Sequence, residues 1–132
     1  MKAVVLDTTV ASIIFRQLSE AQAILEGLVS TERILSFQTV AEMRFGAEVK
    51  GWGLGKRNIL EEFISEHTIV HSSDELISCW SMIKMEASKV GRRLESSDAW
   101  IAATAKLLDV PLLTQDKDFD EIACPSVTVI RF

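Results

Sequence analysis

The stretch Ala3-Val4-Val5-Leu6-Asp7 opens the chain with a short apolar run that ends in a carboxylate. A similar run, residues 110–115, is followed directly by Asp116. Short apolar runs bounded by polar residues are typical of buried strands, so both acids are predicted to lie at carboxyl ends of strands. Ligands of open α/β sheets bind at that edge. We therefore expect these two carboxylates to belong to one functional edge.

Two further acids are predicted to lie near the starts of helices. Thr39 is expected to cap a helix that carries Glu42 in its first turn, and the serines at 96–97 are expected to cap a helix that carries Asp98 in its first turn. Taken singly, each acid has an ordinary explanation as a cap, a turn residue or a charge that the helix dipole favours. Together, the strand-end and helix-start acids predict a cluster of carboxylates in one crevice. Because crowded carboxylates repel one another, such a cluster calls for a cation, and its oxygen-only ligands favour Mg²⁺ or Mn²⁺.

The rest of the chain alternates between short apolar runs and longer segments with helical periodicity. The predicted strands are residues 2–6, 34–36, 68–70 and 110–115. The first predicted helix covers residues 9–18 and is capped by Thr8 or Thr9. The other predicted helices are a segment that ends near 29, residues 39–51, about 55–65, a segment from a cap at 72 or 73 to about 90, and a last one that starts near 97. This alternation predicts an α/β protein with three layers, α/β/α, around a mainly parallel sheet. With 132 residues, we expect one domain that spans residues 1–132.

Composition limits the classes of function. The chain is 48% apolar and 25% charged, which favours a folded globule over disorder. No membrane span or signal peptide is recognised, so a cytoplasmic location without a membrane partner is expected. The net charge of −5 argues against a broad surface for nucleic acid, so any nucleic acid must be held locally. Cys79 and Cys124 are interpreted as reduced structural thiols, and His67 and His71 as histidines at loop edges rather than metal ligands.

The four acids lie in four blocks of sequence. These blocks are Leu-Asp-Thr-Thr at 6–9, Ala-Glu-Met-Arg-Phe-Gly at 41–46, the segment from Gly-Arg-Arg to Ser-Asp-Ala-Trp-Ile-Ala-Ala-Thr-Ala at 91–105, and Leu-Thr-Gln-Asp-Lys-Asp-Phe at 113–119. In this order and at this length, the chain resembles the PIN-domain ribonucleases, specifically the VapC-like toxins of toxin–antitoxin pairs. The resemblance covers essentially the full length, and the third block is the most specific.

The resemblance implies a function for the acids. It makes Asp7, Glu42, Asp98 and Asp116 the catalytic carboxylates, of which the two strand-end acids and Asp98 are metal ligands. The implied activity is that of a Mg²⁺- or Mn²⁺-dependent endoribonuclease, in which water attacks an RNA phosphodiester in line and leaves 5′-phosphate and 3′-hydroxyl ends. The implied partners are the RNA substrate, a second copy of the chain, and a small antitoxin from an adjacent gene whose tail fills the cleft.

Several other residues are expected to contact the substrate. Thr114 matches the hydroxyl residue that precedes the last acid of the family. Thr9 stands where the family commonly has asparagine, so substrate positioning there can differ. The arginines that flank the acids are predicted to bind phosphates: Arg16, Arg44, Arg92 and Arg93. Asp118 remains open as either an auxiliary ligand or a solvated turn residue.

The sequence also bears on other classes of function. A receiver-type signalling domain has an acidic pair near its first strand, which Asp7 lacks. A phosphatase with a nucleophilic aspartate has a second acid two residues later, where Thr9 lies here. A non-catalytic PIN module that only binds RNA or a protein remains open, because Thr9 is atypical. Trp52 is interpreted as a packing or interface residue in preference to a platform for a base.

Overall fold

The computed structural model describes residues 1–120 and 122–132. A five-stranded sheet in the order β3-β2-β1-β4-β5 forms its centre, and all the described strand pairs are parallel. The strands are β1 (Ala3–Leu6), β2 (Glu32–Ser36), β3 (Thr68–Val70), β4 (Leu112–Leu113) and β5 (Val129–Ile130). The helices are α1 (Thr8–Phe15), α2 (Ala21–Gly27), α3 (Phe37–Val49), α4 (Leu54–Ser65), α5 (Asp74–Lys89) and α6 (Ser96–Leu108).

The sheet separates two hydrophobic clusters. Alternate residues of a strand point to opposite faces, so Val4 and Leu6 pack on one side of β1 while Val5 packs on the other. The first cluster adds residues of α1, α2 and α4: Val10, Ile14, Ile24, Leu60 and Phe63. The second adds residues of α5 and α6: Leu76, Ile83, Ile101 and Ala102. Helices therefore cover both faces, and the predicted three-layer α/β/α architecture with a parallel sheet is confirmed.

The order of the strands places a crevice beside the central strand. From β1 the chain builds outward through β2 to β3, and it then returns to the other side of β1 to form β4 and β5. The winding therefore reverses between β1 and β4, which opens a crevice at the carboxyl ends of these two strands. Asp7 directly follows β1, and residues 114–116 follow β4. Both predicted strand-end acids thus lie at this topological switch point.

Three predicted helix starts are wrong in detail. Asp7, not a threonine, occupies the N-cap position of α1, and its side chain makes no capping bond. Ser36 caps α3 by accepting from the backbone N–H of Gln38, so Thr39 lies inside the helix and Glu42 falls in its second turn. Glu95 precedes α6, so the serines at 96–97 belong to its first turn. In each case the helix begins earlier than predicted because the strand or loop leads directly into it. The predicted cap at Ser73 is confirmed.

Smaller features also follow from the structure. β5 was not predicted, because a strand of two residues gives too short a pattern. His67 lies in the short loop between α4 and β3, as predicted, and it is buried there with its Nδ1 2.7 Å from the carbonyl oxygen of Phe63. Cys79 and Cys124 are free thiols. Within the described ranges, every helix falls short of the length and hydropathy that crossing a membrane requires.

Candidate active site

Asp7 and Thr114 join the ends of the two central strands. The backbone N–H of Asp7 donates to the carbonyl of Leu113, at 3.0 Å, which continues the β1–β4 ladder. The side chain of Asp7 is only 4% exposed, and its Oδ2 accepts a hydrogen bond of 2.7 Å from Thr114 Oγ1. Thr114 Oγ1 in turn accepts from the backbone N–H of Asp116, at 2.9 Å. One hydroxyl thus fixes a buried carboxylate and the start of the loop after β4.

Three aspartates meet at the mouth of the crevice. Carboxylate oxygens of Asp98, Asp116 and Asp118 all lie within 4.8 Å of one another. Asp98 comes from the first turn of α6, as predicted, and the other two come from the loop after β4. That loop is held in shape because Asp116 Oδ1 accepts from the backbone N–H of Asp118, at 2.9 Å, while Arg131 donates to the backbone carbonyl of Asp116, at 3.0 Å. Asp118 therefore belongs to the cluster.

Glu42 reaches the crevice from α3 and is held by hydroxyl groups. Thr8 Oγ1 donates to Glu42 Oε2 at 2.5 Å. Thr8 Oγ1 also lies 2.9 Å from Thr39 Oγ1. A threonine hydroxyl has one proton, and Thr8 gives it to the carboxylate, so Thr39 must donate to Thr8. This chain orients the half-buried Glu42 against the first residue of α1.

The carboxylates influence one another electrostatically. Burial raises the pKa of Asp98 to about 6. Smaller contributions come from the negative charges of four neighbours: Asp116, Asp7, Glu42 and Asp118. Burial also raises the pKa of Asp7, and the hydrogen bond from Thr114 opposes that rise. Carboxyl groups from four segments of the chain therefore share one electrostatic environment, and in it Asp7 and Asp98 hold their protons more tightly than usual.

This donor set fits a hard divalent cation. The converging side chains offer carboxylate oxygens, which Mg²⁺ and Mn²⁺ prefer, and the close trio can supply several of them at once. A cation would also offset the repulsion and burial that raise the pKa of Asp98. Asp98, Asp116 and Asp118 are the residues that could hold it, with Asp7 directly behind them. Histidine and thiolate ligands, which would favour zinc, are not part of the described trio.

The predicted substrate residues differ in their placement. Arg16 lines a cleft together with Thr8 and Glu42. Arg92 is paired with the carboxylate of Asp120, and Arg93 is exposed, with its Nε 3.7 Å from Glu95. Thr9 is exposed in the first turn of α1. The structure therefore brings Arg16 next to Glu42, whereas Arg44 is paired with Glu61 and Arg92 is engaged elsewhere.

Sequence reasoning missed three contributors to this site. Thr8 and Thr39 were considered only as helix caps, although they form the hydroxyl chain to Glu42. Their link joins residues 31 positions apart, which no local pattern reveals. Arg131 was not considered at all. The sequence does contain a signal for Asp118. An acid two residues after Asp116 commonly belongs to the same turn, so the two carboxylates can bind the same cation.

Comparisons with known proteins agree with this geometry. The family model described as "PIN domain" matches residues 4–124. The chain is 31% identical to Ribonuclease VapC5 of Mycobacterium tuberculosis, over 96% of this chain and 93% of that protein. Its fold superimposes on a chain from the crystal structure of VapBC2 from Rickettsia felis bound to a promoter DNA fragment, with a TM-score of 0.85, 19% identity and coverage of 98% of both chains. VapBC-5 of Mycobacterium tuberculosis, a toxin–antitoxin system, gives a TM-score of 0.72 at 28% identity, with complete coverage of both chains.

The match to the family model spans most of the chain, and it includes all four acids that the sequence singled out. The fold also superimposes on the two compared structures over nearly the full length of the chain. The resemblance inferred from the four sequence blocks is thereby confirmed, and the chain belongs to the PIN domain family.

Proposed function

We propose that this protein is a metal-dependent endoribonuclease that hydrolyses RNA phosphodiester bonds at the carboxylate crevice. The proposed catalytic residues are Asp7, Glu42, Asp98 and Asp116, with Mg²⁺ or Mn²⁺ as the cofactor. The proposed metal ligands are Asp7, Asp98 and Asp116, and the geometry adds Asp118. Ribonuclease VapC5, a relative over nearly the full length, supports the class of reaction.

One observation carries the proposal above the others. Carboxylates from the end of β1, from α3, from α6 and from the loop after β4 converge on one crevice, and their mutual repulsion contributes to the raised pKa values of Asp7 and Asp98. Such an arrangement destabilises the folded protein unless a cation occupies it. Perturbed acids gathered in a cleft are characteristic of functional sites rather than of structural ones.

Each residue of the site has a distinct task. When bound, the divalent cation supplies Lewis acidity and a nucleophile at neutral pH. Thr114 holds the Asp7 carboxylate toward the crevice, and the threonine chain that ends on Glu42 orients that carboxylate. Arg16 is placed to bind a phosphate of the substrate beside Glu42. Because the crevice is strongly acidic, the cation and this guanidinium each make RNA binding more favourable.

The same proposal extends to partners and location. VapBC-5 of Mycobacterium tuberculosis is a member of a family of toxin–antitoxin systems, and a further relative is named Toxin FitB of Neisseria gonorrhoeae. We infer that this chain is likewise the toxin of such a pair. It would act in the cytoplasm as a homodimer, and a small antitoxin from an adjacent gene would cover the crevice.

The test is RNA cleavage by the purified chain, freed of any bound partner. Cleavage of a structured RNA should require Mg²⁺ or Mn²⁺, and EDTA should stop it. Asp98→Asn should fold and lose at least about 100-fold in rate, because it keeps the shape of the side chain and removes a ligand charge. Asp74→Asn, at the exposed start of α5, is the matched control and should cleave like the wild type. Undiminished cleavage by Asp98→Asn would remove Asp98 from the site.

A non-catalytic PIN module is the second candidate, and one observation favours it. Thr9 is exposed in the first turn of α1 and lacks the two amide donors of asparagine. On this alternative, the protein binds RNA or a partner without cutting. Absence of cleavage under every metal condition, with RNA binding retained, would establish it. Restored cleavage in Thr9→Asn would then identify Thr9 as the cause.

A further inference from the structure

A basic cleft lies next to the carboxylate crevice. It has a volume of about 660 Å³, and its principal lining residues are Phe15, Arg16, Lys50, Trp52 and Lys56. We call these five residues the basic cleft. A narrower pocket shares four of them and continues to Thr8 and Glu42. The basic cleft is therefore continuous with the proposed site of cleavage.

Most arginines in the described part of the chain pair with a carboxylate, but the three cations of the basic cleft do not. Within the described residues, Arg16, Lys50 and Lys56 have no carboxylate within 4.0 Å. Neighbouring arginines on the same helices are engaged, since Arg44 binds Glu61. In a chain with a net charge of −5, three free cations around one cleft are a local reversal of charge. That reversal would attract a polyanion to this place and not to the surface at large.

Trp52 holds two of these cations in position. Lys56 Nζ lies 4.2 Å from the centroid of its ring, and Lys50 Nζ lies 5.5 Å from it. The ring itself is half-buried and packs on Phe15, with 5.8 Å between centroids. Arg57 Nε donates to the Trp52 carbonyl at 2.7 Å, which fixes the backbone of the loop. The two ammonium groups are thus gathered over one rigid aromatic surface.

We propose that the basic cleft binds the phosphates of a single-stranded RNA segment directly beside the bond that is cleaved. The inference rests on the proposed nuclease function and deepens it. Lys50 and Lys56 join Arg16 as phosphate-binding residues, and Trp52 acts as a positioning residue for the lysines. The volume falls within the range of about 300–1,000 Å³ that holds small ligands, which is enough for a nucleotide. RNA that follows this path would run from the carboxylates past Glu42 and across the cations.

The experiment compares two double variants of equal charge change. Lys50→Gln/Lys56→Gln removes both ammonium groups of the basic cleft, and Lys2→Gln/Lys89→Gln removes two exposed ones elsewhere. Trp52 is left intact because its ring packs against the core. Fluorescence anisotropy with a labelled single-stranded RNA, at 50 mM salt in EDTA, measures binding without cleavage. Cleavage kinetics in Mg²⁺ or Mn²⁺ then separate KM from kcat.

The lysine variant of the cleft should bind RNA about tenfold more weakly, and the slope of log Kd against log salt should fall by about 1.4, since each lost contact with single-stranded nucleic acid accounts for roughly 0.7. KM should rise while kcat stays within about twofold, because the reacting atoms are untouched. The Lys2/Lys89 variant should match the wild type. Equal RNA affinity and equal salt slope for the two double variants would overturn the proposal and leave the cleft to a protein partner.

The outcome is separable from the proposed function. A wild-type protein that binds RNA but never cleaves it would contradict the nuclease assignment, and a specific loss of affinity in Lys50→Gln/Lys56→Gln would still support the basic cleft. Conversely, a wild type that cleaves RNA while the cleft variant shows unchanged KM and Kd would leave the nuclease intact and refute the cleft.

Discussion

Asp98→Asn should make the metal-free protein more stable at neutral pH while it removes activity. Asp98 ionises in the folded protein with a pKa of about 6, against an ordinary value of 3.8, because it is partly buried and faces other carboxylates. The folded state therefore holds the Asp98 proton more tightly than the unfolded state does. The stabilisation from that proton is complete below about pH 4 and is lost as the pH rises through 6. Asparagine resembles the protonated form at every pH, so it escapes this loss.

The size of the effect follows from two opposing contributions. A shift of about two pKa units corresponds to about 3 kcal/mol, and solvent screening of a half-exposed carboxyl reduces this to roughly 1.5 kcal/mol. Asp98 also gains from the dipole of α6, by about 0.5 kcal/mol, and asparagine forfeits that gain. A net stabilisation of about 1 kcal/mol remains. For a chain of this length it corresponds to a rise in Tm of roughly 3–5 °C.

Thermal and urea unfolding in EDTA at pH 7.5 measure the difference, and repetition at pH 4.5 should reduce it toward zero. Saturating Mg²⁺ or Mn²⁺ should stabilise the wild type more than the variant and can reverse their order, because a ligand stabilises the state that binds it. Asp74→Asn, at the start of α5, isolates the helix-dipole contribution. An Asp98→Asn protein that is less stable than the wild type in EDTA at pH 7.5 would refute the picture of a repulsive cluster.

Three further predictions concern single residues. Thr114→Val removes the hydroxyl that donates to Asp7, so it should destabilise the fold by about 1–3 kcal/mol in urea unfolding and weaken metal binding, whereas Thr114→Ser should retain most of both. Ser36→Ala removes the cap of α3 and should lower the free energy of unfolding by about 1 kcal/mol; an unchanged value would show that the cap is dispensable. Arg16→Ala should raise the Kd for RNA severalfold, while Arg92→Ala, whose guanidinium is already paired, should leave the Kd within about twofold of the wild type; the reverse order in anisotropy would overturn the assignment of Arg16.

Much of the fold follows from sequence because local pattern and global architecture agree. The apolar runs before Asp7 and before Asp116 are short, polar-bounded and separated by helical segments, which is the pattern of a parallel sheet. The predicted element boundaries are wrong where one residue belongs to two elements. Ser36 ends β2 and also caps α3, so no loop marks the boundary, and the sequence pattern favours Thr39 as the cap instead. β5 pairs only two residues with β4, too few for any periodicity.

The site was less accessible to sequence reasoning than the fold. Acids can be found from their place at strand ends and helix starts, but hydrogen bonds between distant segments cannot. The chain from Thr39 through Thr8 to Glu42 and the bond from Thr114 to Asp7 depend on how α1, α3 and the central strands pack. Likewise, the sequence alone suggests that Arg92 is free to bind a phosphate, and only the fold shows that it pairs with Asp120.

The structure argues against helix capping and the helix dipole as explanations for three of the acids. Asp7 occupies an N-cap position, yet its carboxylate makes no capping bond and accepts from Thr114 instead. Glu42 lies in the second turn of α3, beyond the short reach of the helix dipole, so a favourable first-turn charge does not account for it. Asp98 does lie in a first turn, but its pKa is raised, which means that burial and neighbouring charges outweigh whatever the dipole contributes. Capping and the helix dipole therefore do not account for these three buried or half-buried carboxylates, and their place in one crevice is what the proposed cation site requires.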